Sequence, residues 1–204
     1  NRTTLRELEE VRSKKDSRDR VSLSEALFNS SSRIHQMVQG KGLDLFSEDL
    51  LKNAHRFFYE KLDKKHLVIK DKAGEKMATL KPGLFRAQAV DVGAHLPPDS
   101  KDISSYLAIW ARAYKALTPI RKIAMMGGIH HRLVWIHPFL DGNGRVSRIF
   151  SDALMVHLEL DFGGLWCLSR GLARRKDDYF RLLAQADEQR YNDLDGRGNL
   201  TQKG

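Results

Sequence analysis

A single cysteine, Cys167, rules out an intramolecular disulfide in this 204-residue chain and fits a reducing, cytoplasmic compartment. Its place between Trp166 and Leu168 reads as that of a small buried hydrophobe. No stretch approaches the 18 or more apolar residues of a membrane span. Residues 1–20 are dense in charge and lack the apolar core of a secretory leader. Internal repeats and low-complexity tracts are missing. So is the alternation of aromatic and basic residues that single-strand nucleic-acid binding uses, which leaves nucleic acid unfavoured as a partner. The net charge of +9 is spread among interleaved acids and bases, and a nucleotide site accounts for it equally well.

What is present is mostly helical periodicity. The patterns predict helices at 22–40, 44–63, 102–117, 119–136, 143–159 and 174–191, an all-α bundle. Residues 120–136 are apolar nearly all round, so that helix is expected at the centre. Residues 66–70 and 75–80, on either side of Ala73-Gly74, predict a small β-hairpin. One domain over 22–192 is expected, with a charged extension at 1–21 and a polar, linker-like tail at 193–204.

The chemistry is concentrated in His137-Pro138-Phe139-Leu140-Asp141-Gly142-Asn143-Gly144-Arg145-Val146-Ser147-Arg148. Gly142 and Gly144 let the backbone curl just before a helix, where unpaired N–H groups and the helix dipole attract an anion. Arg145 and Arg148 supply planar guanidinium forks suited to phosphate oxygens. Asp141 is a hard oxygen donor of the kind Mg²⁺ uses when it also holds nucleotide phosphates. His137 is the candidate general base, since an ordinary imidazole accepts protons near neutral pH. Pro138 should stop the preceding helix at His137 and hold that residue in an extended conformation.

In this order the twelve residues resemble the signature of the Fic (filamentation induced by cAMP) family, H-x-F-x-D/E-G-N-G-R-x-x-R, and all eight constrained positions match. The resemblance implies a Fic-type helical bundle with a small β-hairpin flap. It also implies protein adenylyltransferase activity, in which the target hydroxyl attacks the α-phosphate of ATP. AMP then passes to Ser, Thr or Tyr, and pyrophosphate leaves. In that pattern His137 takes the hydroxyl proton, Asp141 holds Mg²⁺, Gly142, Asn143 and Gly144 cradle phosphate, and Arg145 and Arg148 neutralise the leaving phosphates. Glycine at 144, where kinase-like Doc relatives carry lysine, points to nucleotidyl rather than phosphoryl transfer.

Further positions follow from the same resemblance. Arg86, Ala87, Gln88, Ala89, Val90, Asp91 and Val92 are similar to the flap that docks a target protein by strand addition. Tyr179 and Asp187 resemble a Tyr and Asn pair that contacts the nucleoside, with Asp187 departing from Asn. Residues 31–36 are similar to an inhibitory helix motif that begins with Ser or Thr, here Ser31, and carries a glutamate where this chain has His35. That glutamate pairs with the second motif arginine in the family, so intramolecular inhibition is expected to be weak or absent. A homodimer or a separate inhibitory partner is compatible with this expectation.

Three rivals stand beside this reading. UMP, phosphocholine or phosphate could be the transferred group. A hydrolase could use His130, His131, His137 and Asp141 as metal ligands, although no zinc spacing is present and the arginines go unexplained. A non-catalytic binding module on a degenerate copy of the fold is the third.

Overall fold

A computed structural model describes residues 22–40, 44–70, 76–90, 92, 95–161 and 167–187. The expected extension at 1–21, the tail at 193–204 and Asp91 of the flap lie outside these residues. The chain is a helical bundle with one small antiparallel hairpin, as the periodicity predicts. Helix α1 covers 22–39. It buries Ala26, Ser30 and Ile34, four residues apart on one face, and Ser30 Oγ donates to the Ala54 carbonyl of the next helix. That helix, α2 (Glu48–Tyr59), starts at Ser47, whose side chain accepts from Leu50 N–H, with Glu48 and Asp49 complementing the dipole.

The hairpin pairs β1 (Val68–Lys70) with β2 (Lys76–Thr79), Val68 opposite Thr79. It leads into the expected flap, but the described residues of 86–92 form no regular strand. Val92 makes one isolated bridge to His95. Helix α3 (Ile103–Lys115) buries Ile103, Leu107 and Trp110.

The expected rod at 119–136 is two helices, α4 (Pro119–Ala124) and α5 (Met126–Ile136), which meet at Met125. Gly127 and Gly128 weaken helix propensity just beyond the break. Apolar character all round does not put α4 at the centre: Ile120 is 76% exposed and Ile123 43%. The central element is instead α6 (Asn143–His157). It buries Val146, Ile149, Phe150, Ala153 and Leu154, and packs on both α2 and α5. The helix expected at 174–191 is α8 (Lys176–Ala186), with residues 188–191 outside the described ones, and it is preceded by a short helix that the periodicity did not predict, α7 (Leu168–Arg174), with a break at Arg175.

Asp152 of α6 caps α7 from outside that helix. Its Oδ1 accepts from the N–H groups of Leu168 and Ser169, and its Oδ2 from the Ser169 hydroxyl at 2.6 Å. Two of the orphan donors of a short helix thereby fasten it to the bundle centre. Cys167 precedes that cap and is exposed, which corrects its expected burial. Its Sγ lies 3.7 Å from Asp152 Oδ2, a polar setting that draws it out of the core.

Phe150 of α6 is fully buried, with its ring centroid 4.9 Å from that of Trp110 and 5.5 Å from that of Phe46. Phe150→Ala opens a cavity at the contact of α3 with α6 and is expected to cost about 3–5 kcal/mol in urea unfolding. A loss below about 1 kcal/mol would contradict this placement of the core.

Candidate functional site

The twelve-residue motif is a six-residue turn, 137–142, followed by the first residues of a helix, with α5 ending at Ile136 and α6 starting at Asn143. His137 does not take the extended conformation expected before proline. It sits in the left-handed region at φ 50°, ψ 59°, where its N–H still reaches the Leu133 carbonyl. That geometry is a helix C-cap of the kind usually given to glycine, and it is sparsely populated by other residues. Phe139 is fully buried beyond it. Asn143 then closes the turn: Phe139 N–H donates to Asn143 Oδ1 at 2.8 Å, and Asn143 Nδ2 donates to the Phe139 carbonyl at 2.7 Å. The Asn143 side chain is thereby spent inside the loop, and only its backbone is left to meet a ligand.

Gly142 is required twice over. Its φ is +83°, and a Cβ there would lie 2.9 Å from the Tyr59 ring and hydroxyl. The Gly142 amide bonds the Asp141 carboxylate. The amides of Asn143 and Gly144, first in α6, have no helical carbonyl to bond, an arrangement that favours an anion.

The two arginines take different neighbours. Arg145 Nη1 donates to Tyr59 Oη at 2.9 Å and to Asp141 Oδ2 at 3.3 Å, and Tyr59 O–H donates to the same carboxylate oxygen at 2.7 Å. Burial alone would raise the Asp141 pKa, but the Tyr59 hydroxyl, the Arg145 charge and the Gly142 amide outweigh it, so the pKa falls and the group stays a carboxylate. Burial pushes the Tyr59 phenol up, which keeps it a donor. Arg148 extends toward Gly144, where a built Cβ would meet its Nη1 at 3.7 Å, and its charge interacts with the Tyr179 hydroxyl.

Burial holds the His137 pKa at about 4, with the positive charge of Arg86 adding to the effect, so the ring is neutral at pH 7. Its Nδ1 lies 3.2 Å from the Val134 carbonyl. A carbonyl only accepts, so Nδ1 carries the hydrogen and Nε2 keeps a free lone pair. The residue is only partly buried, so that lone pair is not sealed in the core.

Two residues that sequence reasoning did not assign to the motif hold it in place. His55 of α2 stacks on Phe139 at 4.1 Å and spans two backbones: its Nδ1 accepts from Gly83 N–H at 2.8 Å, and its Nε2–H donates to the Asp141 carbonyl at 3.2 Å. Arg86, expected in the target-docking flap, is buried and turned inward. Its N–H donates to the Pro138 carbonyl, its Nε to the His137 carbonyl at 2.8 Å, and its Nη groups to Gln88 and Pro98. Its side chain is buried against the His137 backbone instead of standing free on the flap. Ala87, Gln88 and Ala89 beyond it are exposed and Val90 is partly buried.

Tyr179 and Asp187 are both pinned to α5. Tyr179 accompanies His130, whose Nε2 lies 2.9 Å from its hydroxyl, and Asp187 accompanies His131 Nε2 at 2.9 Å. The adjacent histidines therefore bind α8 and the chain just after it to the bundle. Among the described residues no group of three or more His, Cys, Asp or Glu side chains is arranged to hold a metal ion. His35 meets the charges of Asp152 and Asp161 rather than an arginine, and burial lowers its pKa. With Ser31 it lines a cavity of about 750 Å³ between α1, α6 and α7.

Comparison with known proteins agrees with the motif. The profile of the Fic/DOC family matches residues 45–155. A curated relative from Culex quinquefasciatus, "Protein adenylyltransferase Fic", is 40% identical over 79 residues, 36% of this chain and 15% of its own length. One of the same name from Drosophila melanogaster is 30% identical over 135 residues, 58% of this chain and 26% of its own length. The chain thus spans about a quarter or less of these relatives. A Fic-domain-containing signalling protein from Bacteroides thetaiotaomicron superposes with a TM-score of 0.53 at 20% identity, over 81% of this chain and 57% of that one. A Fic family protein from Desulfovibrio desulfuricans gives a TM-score of 0.53 at 19% identity, over 78% and 44%. These superpositions show a shared fold.

Burial holds His55, His130 and His137 neutral in the folded chain, each with its pKa lowered from 6.5 to about 4. Between those values the unfolded chain binds the extra protons, so the stability they confer is present above about pH 6.5 and is lost as pH falls toward 4. Urea midpoints measured from pH 7 to 4 are expected to drop steadily. A flat profile from pH 6.5 to 5 would contradict the burial of these rings.

Proposed function

Because the chain belongs to the Fic/DOC family, we propose that it transfers AMP from ATP to a Ser, Thr or Tyr hydroxyl of a target protein and releases pyrophosphate. The observation that carries this reading is a neutral His137 ring, its Nδ1 committed to the Val134 carbonyl, set at the turn that opens onto the first amides of α6. The target hydroxyl oxygen attacks the α-phosphorus as its proton passes to His137 Nε2. The new oxygen–phosphorus bond replaces the one to the bridging oxygen, and pyrophosphate leaves with that oxygen. A free lone pair on a fixed ring suits this role better than an imidazolium would.

The Asn143 and Gly144 amides and the α6 dipole bind phosphate oxygens, while Arg145 and Arg148 stabilise charge developing on the leaving group. Asp141 suits Mg²⁺: its side chain is 47% exposed, it is ionised, and it is the kind of lone hard oxygen donor that completes a shell with phosphates and water. The ion would supply charge neutralisation at the phosphates. Arg145 and Tyr59 keep Asp141 oriented for it through Oδ2.

Target docking belongs to the segment from Ala87 to Val92. The described residues there lie outside the hairpin and offer backbone to an extended peptide, with Arg86 anchoring one end. His35 brings no carboxylate toward Arg148, which supports weak intramolecular inhibition.

His137→Ala is expected to lower transfer from ATP labelled at the α-phosphate by 100-fold or more while circular dichroism stays native. Arg148→Ala should lose activity comparably. Undiminished transfer by His137→Ala rejects the base assignment, and label moved only from the γ-phosphate replaces AMP transfer by phosphorylation.

A further inference from the structure

We propose that His130, which touches neither nucleotide nor target, is a positioning residue that fixes the Arg148 guanidinium at the phosphate cradle through the Tyr179 hydroxyl. The inference rests on the reading of Arg148 as a phosphate ligand and adds what holds it there.

Three hydrogen bonds run in one consistent direction from Tyr179 through His130 and Ser151 to the Ser147 carbonyl, and the Arg148 guanidinium lies beside the Tyr179 hydroxyl at their head. Ser151 Oγ donates to the Ser147 carbonyl at 2.9 Å, a bond within α6 that uses the serine's only hydrogen. Ser151 Oγ lies 2.8 Å from His130 Nδ1, so it can only accept there, and Nδ1 carries the ring hydrogen. The Ser147 carbonyl is also within bonding reach of the ring and enforces the same tautomer. His130 Nε2 is then an acceptor, and at 2.9 Å it takes the Tyr179 hydroxyl hydrogen. With that hydrogen turned away, the lone pairs of the Tyr179 oxygen are left for the Arg148 guanidinium.

The line begins and ends on α6, since Ser147 and Arg148 are neighbours. It leaves the helix through α5 and α8 and returns to it one residue away. A long arginine side chain loses much rotamer freedom when fixed. The phenol lets the buried ring and the three helices around it supply that order before any nucleotide arrives. The ring is buried, and both Arg148 and His131 weigh against a charge on it, so the neutral form is the one present. A protonated ring would offer a hydrogen at Nε2 and turn the Tyr179 hydroxyl hydrogen toward the guanidinium.

The test measures dissociation constants for ATP and for AMP by titration calorimetry on the full chain with Mg²⁺. AMP lacks the terminal phosphates and serves as the internal control. Arg148→Ala should weaken ATP at least tenfold with AMP unchanged. If it does not, the assignment of Arg148 fails, and with it the premise. Given that result, Tyr179→Phe keeps the ring and removes only the hydroxyl beside the charged group, and should weaken ATP about tenfold more than it weakens AMP. His130→Asn can still donate to Ser151 but leaves the phenol without an acceptor, and should do the same. His130→Gln can present an acceptor at the Nε2 position and should recover most of the loss. In a Tyr179→Phe background, His130→Asn should add nothing further. Full ATP affinity in Tyr179→Phe, or equal loss of ATP and AMP binding in both His130 variants, overturns the proposal while leaving Arg148 as a phosphate ligand.

Discussion

The functional site depends on one side chain gripping one peptide unit: Asn143 bonds both the N–H and the C=O of Phe139. Five residues are thereby drawn into a closed turn whose backbone would otherwise be buried with unmet hydrogen bonds, at a cost of about 1–3 kcal/mol for each group. With that turn closed, α6 starts one residue after a glycine in the left-handed region, and its first amides face outward instead of into another turn of helix. The left-handed His137 on the other side is tolerated because neighbours determine it from several directions. Arg86 holds its carbonyl, Val134 holds its ring, and Phe139 anchors the chain just beyond it.

Around this turn the protein keeps charge of one sign in check by making histidines neutral. Arg86, Arg145 and Arg148 converge on the motif, and His55, His130 and His137 lie among them. Each additional proton there would stand in a poorly solvated site beside a guanidinium, so desolvation and charge act in the same direction. Neutral rings can also do what charged ones cannot, which is to accept. His55 takes the Gly83 amide, and His137 retains a lone pair at Nε2.

The sequence was legible where the chemistry is contiguous and less so where it is assembled. The motif lies within twelve residues, and its glycines, arginines and histidine stand where their order suggests. Helix α2 was legible from its Ser47 cap and apolar stripe, and the hairpin from its two short apolar runs about Ala73-Gly74. By contrast His55, Tyr59 and Arg86 reach the motif from 51 to 86 positions away, and nothing local distinguishes a lone polar residue on a helix from a satisfied core one. Their one signal is polarity at positions the apolar pattern would bury, as at His55. The break at Met125 contains no proline, so periodicity carried one helix through it, while α7, only seven residues long, was too short to show a period. Composition also misplaced α4, because apolar residues on every side describe an element without saying which side the bundle covers.

The way the guanidiniums are held bears on what the site takes. A structural arginine in a folded core is ordinarily neutralised by a carboxylate, since an unpaired buried charge is costly. Arg145 follows that rule only in part, because it shares Asp141 with a phenol and that carboxylate also suits a cation. Arg148 is met by a phenol, an uncharged group that orients the cation without cancelling it, while burial and the charge of Arg145 push its pKa down. Both features leave positive charge in place beside two free amides at a helix start. Under the proposed function, a polyphosphate would offset that charge across the span from Asn143 to Arg148. Orientation by neutral donors and acceptors is therefore the feature that separates a binding arginine from a structural one here, and it is written in residues far from the motif itself.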